Sequence, residues 1–92
     1  MVKKMVKISS MQEADQFNKL CSRFSCDMDL AKGKYYVDAK SIMGIFSLNL
    51  QEPVELIAGT EDEEEVNRVF ASFIVDVYKR QRDIWKGRIM RS

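Results

Sequence analysis

The chain has 92 residues, 46% of them hydrophobic and 32% charged, enough for one small domain with a single core and little margin. Fifteen basic residues against 14 acidic leave a net charge of +1, which excludes a general electrostatic pull toward nucleic acid or an acidic membrane surface. No apolar run approaches the length of a membrane span, and two cysteines without any histidine make neither a disulfide framework nor a metal-ligand set.

Val2 to Ile8 reads as an edge or half-buried strand, with Lys3, Lys4 and Lys7 toward water and an alternation blurred at Met5-Val6. This lysine-punctuated start lacks the apolar region of a signal peptide, so a cytoplasmic location with reduced thiols is expected. Ser9-Ser10 supplies a turn and a helix cap. From Met11 to Phe24, the residues Met11, Ala14, Phe17, Leu20, Cys21 and Phe24 recur at three- and four-residue steps, which predicts an amphipathic helix closed at Ser25. Cys26 to Ala31 alternates cleanly, with Cys26, Met28 and Leu30 on one side. Lys32-Gly33 is a tight turn and Lys34 to Val37 the returning strand, so this segment is a hairpin.

Ser41 then caps a short helix whose residues Ile42, Ile45, Phe46 and Leu48 are apolar at helical spacings. Ile45 and Leu48 face inward on this pattern, while Ile42, Met43 and Phe46 share an adjoining face. Gly44 and Asn49 limit the helix, Asn by tolerating the left-handed turn that ends one. So many large apolar residues either fill a core or offer a patch to a partner, and residue types alone favour core. Val54 to Ala58 is another strand, ended by Gly59. Thr60-Glu61-Asp62-Glu63 has the form of a capping box, Thr60 capping and Glu63 three positions on. The acids Glu61 to Glu65 suit the start of a helix better than a metal site, and Val66, Val69, Phe70, Phe73 and Ile74 form its inward stripe. The order β-α-β-β-α-β-α predicts an α+β fold, an antiparallel sheet covered on one face by helices.

Beyond Val75 the pattern changes. Asp76-Val77-Tyr78-Lys79-Arg80-Gln81 is the translation of GAT-GTG-TAT-AAG-AGA-CAG, the transposon mosaic end used to prepare sequencing libraries. The expectation is a domain over residues 1–75 and a tail, 76–92, that is adapter-derived or otherwise outside it. The alternative is a genuine basic extension with Ile84, Trp85, Ile89 and Met90 on an apolar face, suited to a membrane surface or a partner helix.

The stretch Asp38-Ala39-Lys40-Ser41-Ile42-Met43-Gly44-Ile45-Phe46-Ser47-Leu48 resembles the middle helix of HPr, the phosphocarrier of the bacterial sugar phosphotransferase system, and the element order fits from about Val2 to Val75. The resemblance implies an HPr-like open-faced β-sandwich, four antiparallel strands with three helices on one face. In that family a histidine between the first strand and first helix carries phosphate, followed shortly by an arginine and a proline. The corresponding loop here is Ile8-Ser9-Ser10-Met11, with none of the three, so ordinary phosphocarrier activity is expected to be absent. Ser9 and Ser10 have no neighbouring base and read as caps.

The family's second modification site, a serine opening the middle helix, corresponds to Ser41, a candidate for regulatory phosphorylation; the bland reading is a cap alone. The family residues matching Ile42, Met43 and Phe46 form an exposed patch that docks partners, which moves these three from core to binding surface. The resemblance thus implies a non-catalytic module, no enzyme and no cofactor. Its partners would be phosphotransferase-system proteins, HPr kinase or a transcription regulator. The alternative is an HPr-derived structural or interaction domain unconnected with phosphotransfer.

Overall fold

The computed structural model describes residues 1–75; the expected tail, 76–92, lies outside the described residues. The elements run β1 (Val2–Val6), α1 (Met11–Ser22), β2 (Met28–Lys32), β3 (Tyr35–Asp38), α2 (Ile42–Phe46), β4 (Val54–Ala58) and α3 (Glu63–Val69). The four strands form one antiparallel sheet in the order β1-β4-β2-β3. Its arrangement is therefore the α+β, open-faced one expected.

Strand alternation divides the sheet. Val2, Val6, Met28, Leu30, Val54, Leu56 and Ala58 are buried on the helix side, where they meet Ala14, Phe17, Cys21, Ile45, Leu48, Val66, Phe70 and Phe73. Registered against one another on the other face are Lys3, Met5, Asp29, Ala31, Tyr36, Glu55 and Ile57. Phe17 is the hub of the aromatic part of the core. Its ring lies 4.9 Å from that of Phe70 and 5.1 Å, edge-on, from that of Phe73, distances at which ring pairs attract.

Several local expectations change. Met11 opens α1 but is exposed, because the apolar stripe begins only at Ala14, where the helix first overlies the sheet. The helix closes at Arg23, whose N–H donates to the carbonyls of Leu20 and Cys21, two residues before Ser25. Ser10 caps it as expected: its Oγ accepts from Glu13 N at 3.1 Å, and the Glu13 carboxylate accepts from Ser9 N at 3.0 Å. Lys4 does not face open water. Alternation places it opposite Leu56 on the helix side, where its ammonium pairs with Glu63.

The third helix is capped by Asp62, whose Oδ1 accepts from Glu65 N at 3.1 Å, and not by Thr60. Thr60 Oγ1 instead accepts from Asp62 N at 3.2 Å, holding the turn that presents the true cap. The expected stripe also outruns its helix. α3 ends at Val69, and Phe73 and Ile74 belong to a return toward β1, with Lys7 N donating to Phe73 O and Val75 N to Met5 O. Ile74 bridges Val6 there. Asn49 does not take a left-handed conformation, since Gly33 is the one described residue with positive φ, at 60° in the hairpin turn. Asn49 supports the chain through its side chain, accepting from Gln51 N at 3.0 Å.

Candidate functional site

The short helix α2 gains its position from the turn that precedes it. Asp38 takes both of the next available donors: its Oδ1 accepts from Lys40 N at 2.8 Å and its backbone carbonyl from Ser41 N at 3.0 Å. Two side chains then clamp this turn to α1. Asn18 Nδ2 donates to Ala39 O at 3.2 Å, and Lys40 Nζ donates to Phe24 O at 2.7 Å, just past the end of α1. A five-residue helix is far below the length that is stable alone, so these clamps and its buried residues hold it.

Ser41 has extended backbone, and its Oγ accepts from Gly44 N at 3.3 Å, a long N-cap bond. Ser47 closes the helix with its Oγ donating to Gly44 O at 2.6 Å. Gly44 is present for close approach: a Cβ there would sit 3.1 Å from Asp38 O and 3.4 Å from Val37 Cβ. The helix can thus lie directly on the end of β3, so Gly44 serves close packing as well as the limit on helix length that its residue type implies.

The apolar residues of α2 divide as the helical period requires. Ile45 and Leu48 are buried. Met43 is 75% exposed and Phe46 41% exposed, while Ile42 is half-buried against the core. Residue types alone favoured core for this set; for Met43 and Phe46 that preference fails, because the stripe of Ile45 and Leu48 already fills the space beneath. Ser41 is half-buried beside the patch. The structure thus brings Ser41, Ile42, Met43 and Phe46 to one element. Sequence reasoning missed the supporting Asn18 and Lys40, whose contacts are 21 and 16 residues away in the chain.

The loop Ile8-Ser9-Ser10-Met11 is the other place where the resemblance points. Ser9, Ser10, Lys7, Ile8, Leu50 and Gln51 line a shallow hollow of about 390 Å³. The Ser10 hydroxyl accepts the Glu13 N–H and one oxygen of the Glu13 carboxylate accepts the Ser9 N–H, the reciprocal bonding of a helix cap, and among the described residues neither serine hydroxyl donates to a base. Lys7 Nζ donates to Leu50 O at 3.0 Å.

Elsewhere the titratable groups read as structural. Burial pushes the Cys21 thiol up to about 12, a rise that the nearby Lys40 ammonium lowers and Asp38 and Cys26 reinforce. Such a thiol is unreactive at neutral pH. Glu52 is held below its ordinary value by its hydrogen bond to Lys32, and Glu61 by the chain's amino group. Among the described residues, no cluster of cysteines and acids could hold a metal ion, and no helix is long and apolar enough to cross a membrane.

Comparison with known proteins agrees with this geometry. No curated protein sequence is significantly similar to the chain. Among solved structures, HPr from Thermoanaerobacter tengcongensis is 32% identical with a TM-score of 0.66, over 78% of this chain and 89% of that one. HPr from Bacillus anthracis is 29% identical with a TM-score of 0.62, over 78% of this chain and 95% of that one. Crh, a catabolite repression protein of Bacillus subtilis crystallised as a swapped dimer, is 37% identical with a TM-score of 0.57, over 75% of this chain and 79% of that one. Residues 10–76 match the family model described as the PTS HPr component phosphorylation site, and with that match the chain belongs to the HPr family of the phosphotransferase system.

Proposed function

We propose that this protein is a non-catalytic HPr-like module that binds other proteins through the α2 face and no longer carries phosphate on histidine. The observation that carries the reading is a combination: a 92-residue sequence without histidine retains a capped α2 whose Met43 and Phe46 are exposed. Transfer between carriers needs a ring nitrogen that accepts phosphate and releases it readily, and a serine ester does not substitute. Ser41 is the candidate for regulatory phosphorylation, and Ile42, Met43 and Phe46 are the docking residues. A phosphate on Ser41 lies beside the first N–H groups of α2, where negative charge is favoured. The partners on this reading are proteins of the phosphotransferase system, the HPr serine kinase or a transcription regulator, in the cytoplasm.

A second reading keeps the fold and removes the phosphate. Ser41 Oγ already serves Gly44 N, so the serine has a structural duty that accounts for its presence. The domain is then an interaction module unconnected with phosphotransfer. On either reading residues 1–75 are the working domain and 76–92 lie outside it; resequencing the locus without tagmentation and finding the codons for Asp76 to Gln81 in place would remove the adapter explanation.

Intact mass decides between the two. The full chain is incubated with HPr kinase and ATP, and separately with phosphoenolpyruvate and the first enzyme of the phosphotransferase system. One phosphate from the kinase alone, lost in Ser41→Ala, supports the regulatory module. No phosphate in either reaction, from a folded sample, leaves Ser41 as a cap. Transfer from phosphoenolpyruvate overturns the proposal.

A further inference from the structure

We propose that the outer edge of β3 pairs with the β3 of a second copy of this chain, joining two four-stranded sheets into one. β3 is the last strand in the order β1-β4-β2-β3, so one of its sides has no strand neighbour. Register settles which groups face outward. Ala39 N donates to Met28 O, and the hairpin pairs Leu30 with Val37 and Lys32 with Tyr35. Those odd-numbered residues of β3 therefore spend their backbone groups on β2, and Tyr36 and Asp38 turn theirs away. Asp38 O confirms the direction, because it is reached from outside the sheet by Ser41 N. The N–H and C=O of Tyr36 and the N–H of Asp38 have no partner among the described residues.

The edge is short, the four residues Tyr35–Asp38, but it contains no proline and carries two large exposed side chains, Tyr35 at 72% and Tyr36 at 70%. An open groove of about 650 Å³ runs along it, lined on one side by Tyr35, Tyr36 and Val37 and on the other by Ser47, Leu48 and Asn49.

The sequence Lys34-Tyr35-Tyr36-Val37-Asp38 is complementary to itself when laid antiparallel about Tyr36. The outward groups of one Tyr36 then bond those of the other, and each Asp38 N–H meets the partner's Lys34 carbonyl. Each Lys34 side chain stands opposite an Asp38, each Tyr35 opposite a Val37, and the two Tyr36 rings meet on the open face. Opposite charges and aromatic or branched pairs across strands are the pairings that stabilise a ladder. Lys34 makes no ion pair among the described residues, and the Asp38 carboxylate has one oxygen committed to Lys40 N and one left. This charge complementarity selects a second copy over an unrelated extended peptide.

The test is the solution mass of the full chain by sedimentation equilibrium, up to about 1 mM protein. The expected result is a concentration-dependent rise from 10.7 kDa toward twice that value. Tyr36→Pro removes the outward N–H together with an exposed ring, changes an edge strand tolerates, and should remain monomeric with an unchanged circular dichroism spectrum. Lys34→Glu, at an exposed turn position, places like charges opposite Asp38 and should weaken association about tenfold or more. A monomer at every concentration overturns the proposal. So does a dimer of equal strength in the wild type, Tyr36→Pro and Lys34→Glu, since it would be built on another surface or by exchange of a strand.

Discussion

Met43→Glu separates the folding role of α2 from its proposed binding role. The side chain is 75% exposed, so folding removes about a quarter of its surface from water. Full burial of a methionine is worth about 1.5–3 kcal/mol, which sets the loss at roughly 0.4–0.8 kcal/mol. Residue 43 is the second residue of α2, and a carboxylate in a first helical turn recovers about 0.3–1 kcal/mol through the helix dipole. The two effects cancel, and urea unfolding should give a stability within about 0.5 kcal/mol of wild type. Binding is different. A partner that covers the exposed three quarters forfeits roughly 1–2 kcal/mol of apolar burial and must also desolvate an unpaired carboxylate. Together these amount to a loss of affinity of about 100-fold. The assay is calorimetric titration of wild type and Met43→Glu with the first phosphotransferase enzyme and with HPr kinase. Equal affinities from two equally stable proteins would refute the docking surface. A variant that loses stability by several kcal/mol would refute the burial argument instead.

Three other perturbations test the same framework. Ser41→Ala removes the acceptor of a long 3.3 Å bond and should cost about 0.5–1 kcal/mol by urea unfolding, while Ser41→Asp restores most of it. Cys21 has a folded value near 12 against an ordinary 9.0, so above pH 9 the unfolded state releases a proton that the folded state keeps. Stability then falls by roughly 1 kcal/mol per pH unit from this group between pH 9 and 12, and the slope in Cys21→Ala should be shallower by that amount. Glu52, held below its ordinary 4.5 by the hydrogen bond and charge of Lys32, should titrate nearer that value in Lys32→Met, read by NMR of the side-chain carboxyl.

Much of the fold is legible because it rests on local pattern. The strand Val54–Ala58 follows from its composition and from Gly59 after it, and the hairpin from Gly33, which among the described residues alone takes positive φ. The start of α3 is not legible in the same way. Thr60 and Asp62 each precede a glutamate by three residues, and both are good caps; the choice depends on which one the turn after β4 presents. The stripe from Val66 to Ile74 has helical spacing throughout, yet hydrogen bonding to β1 competes for its last residues and wins. At the site, periodicity separates Ile45 and Leu48 from Met43 and Phe46. It cannot say how deep the core beneath the helix is, and that depth decides which set meets solvent. The clamps from Asn18 and Lys40 depend on distant backbone carbonyls, which carry no sequence signature.

The position of β1 also bears on the order in which the domain can form during synthesis. β1 leaves the ribosome first, but its ladder partner is β4, and its last residues are joined by the segment through Val75. A growing chain can close the β2–β3 hairpin as soon as Asp38 emerges, whereas β1 must wait for almost the whole domain. Until then the apolar residues Val2, Val6 and Ile8 have no sheet to enter. The three interspersed lysines, Lys3, Lys4 and Lys7, keep that waiting strand hydrated and repel a second strand like it, so the same charges serve the nascent chain before they serve the folded one.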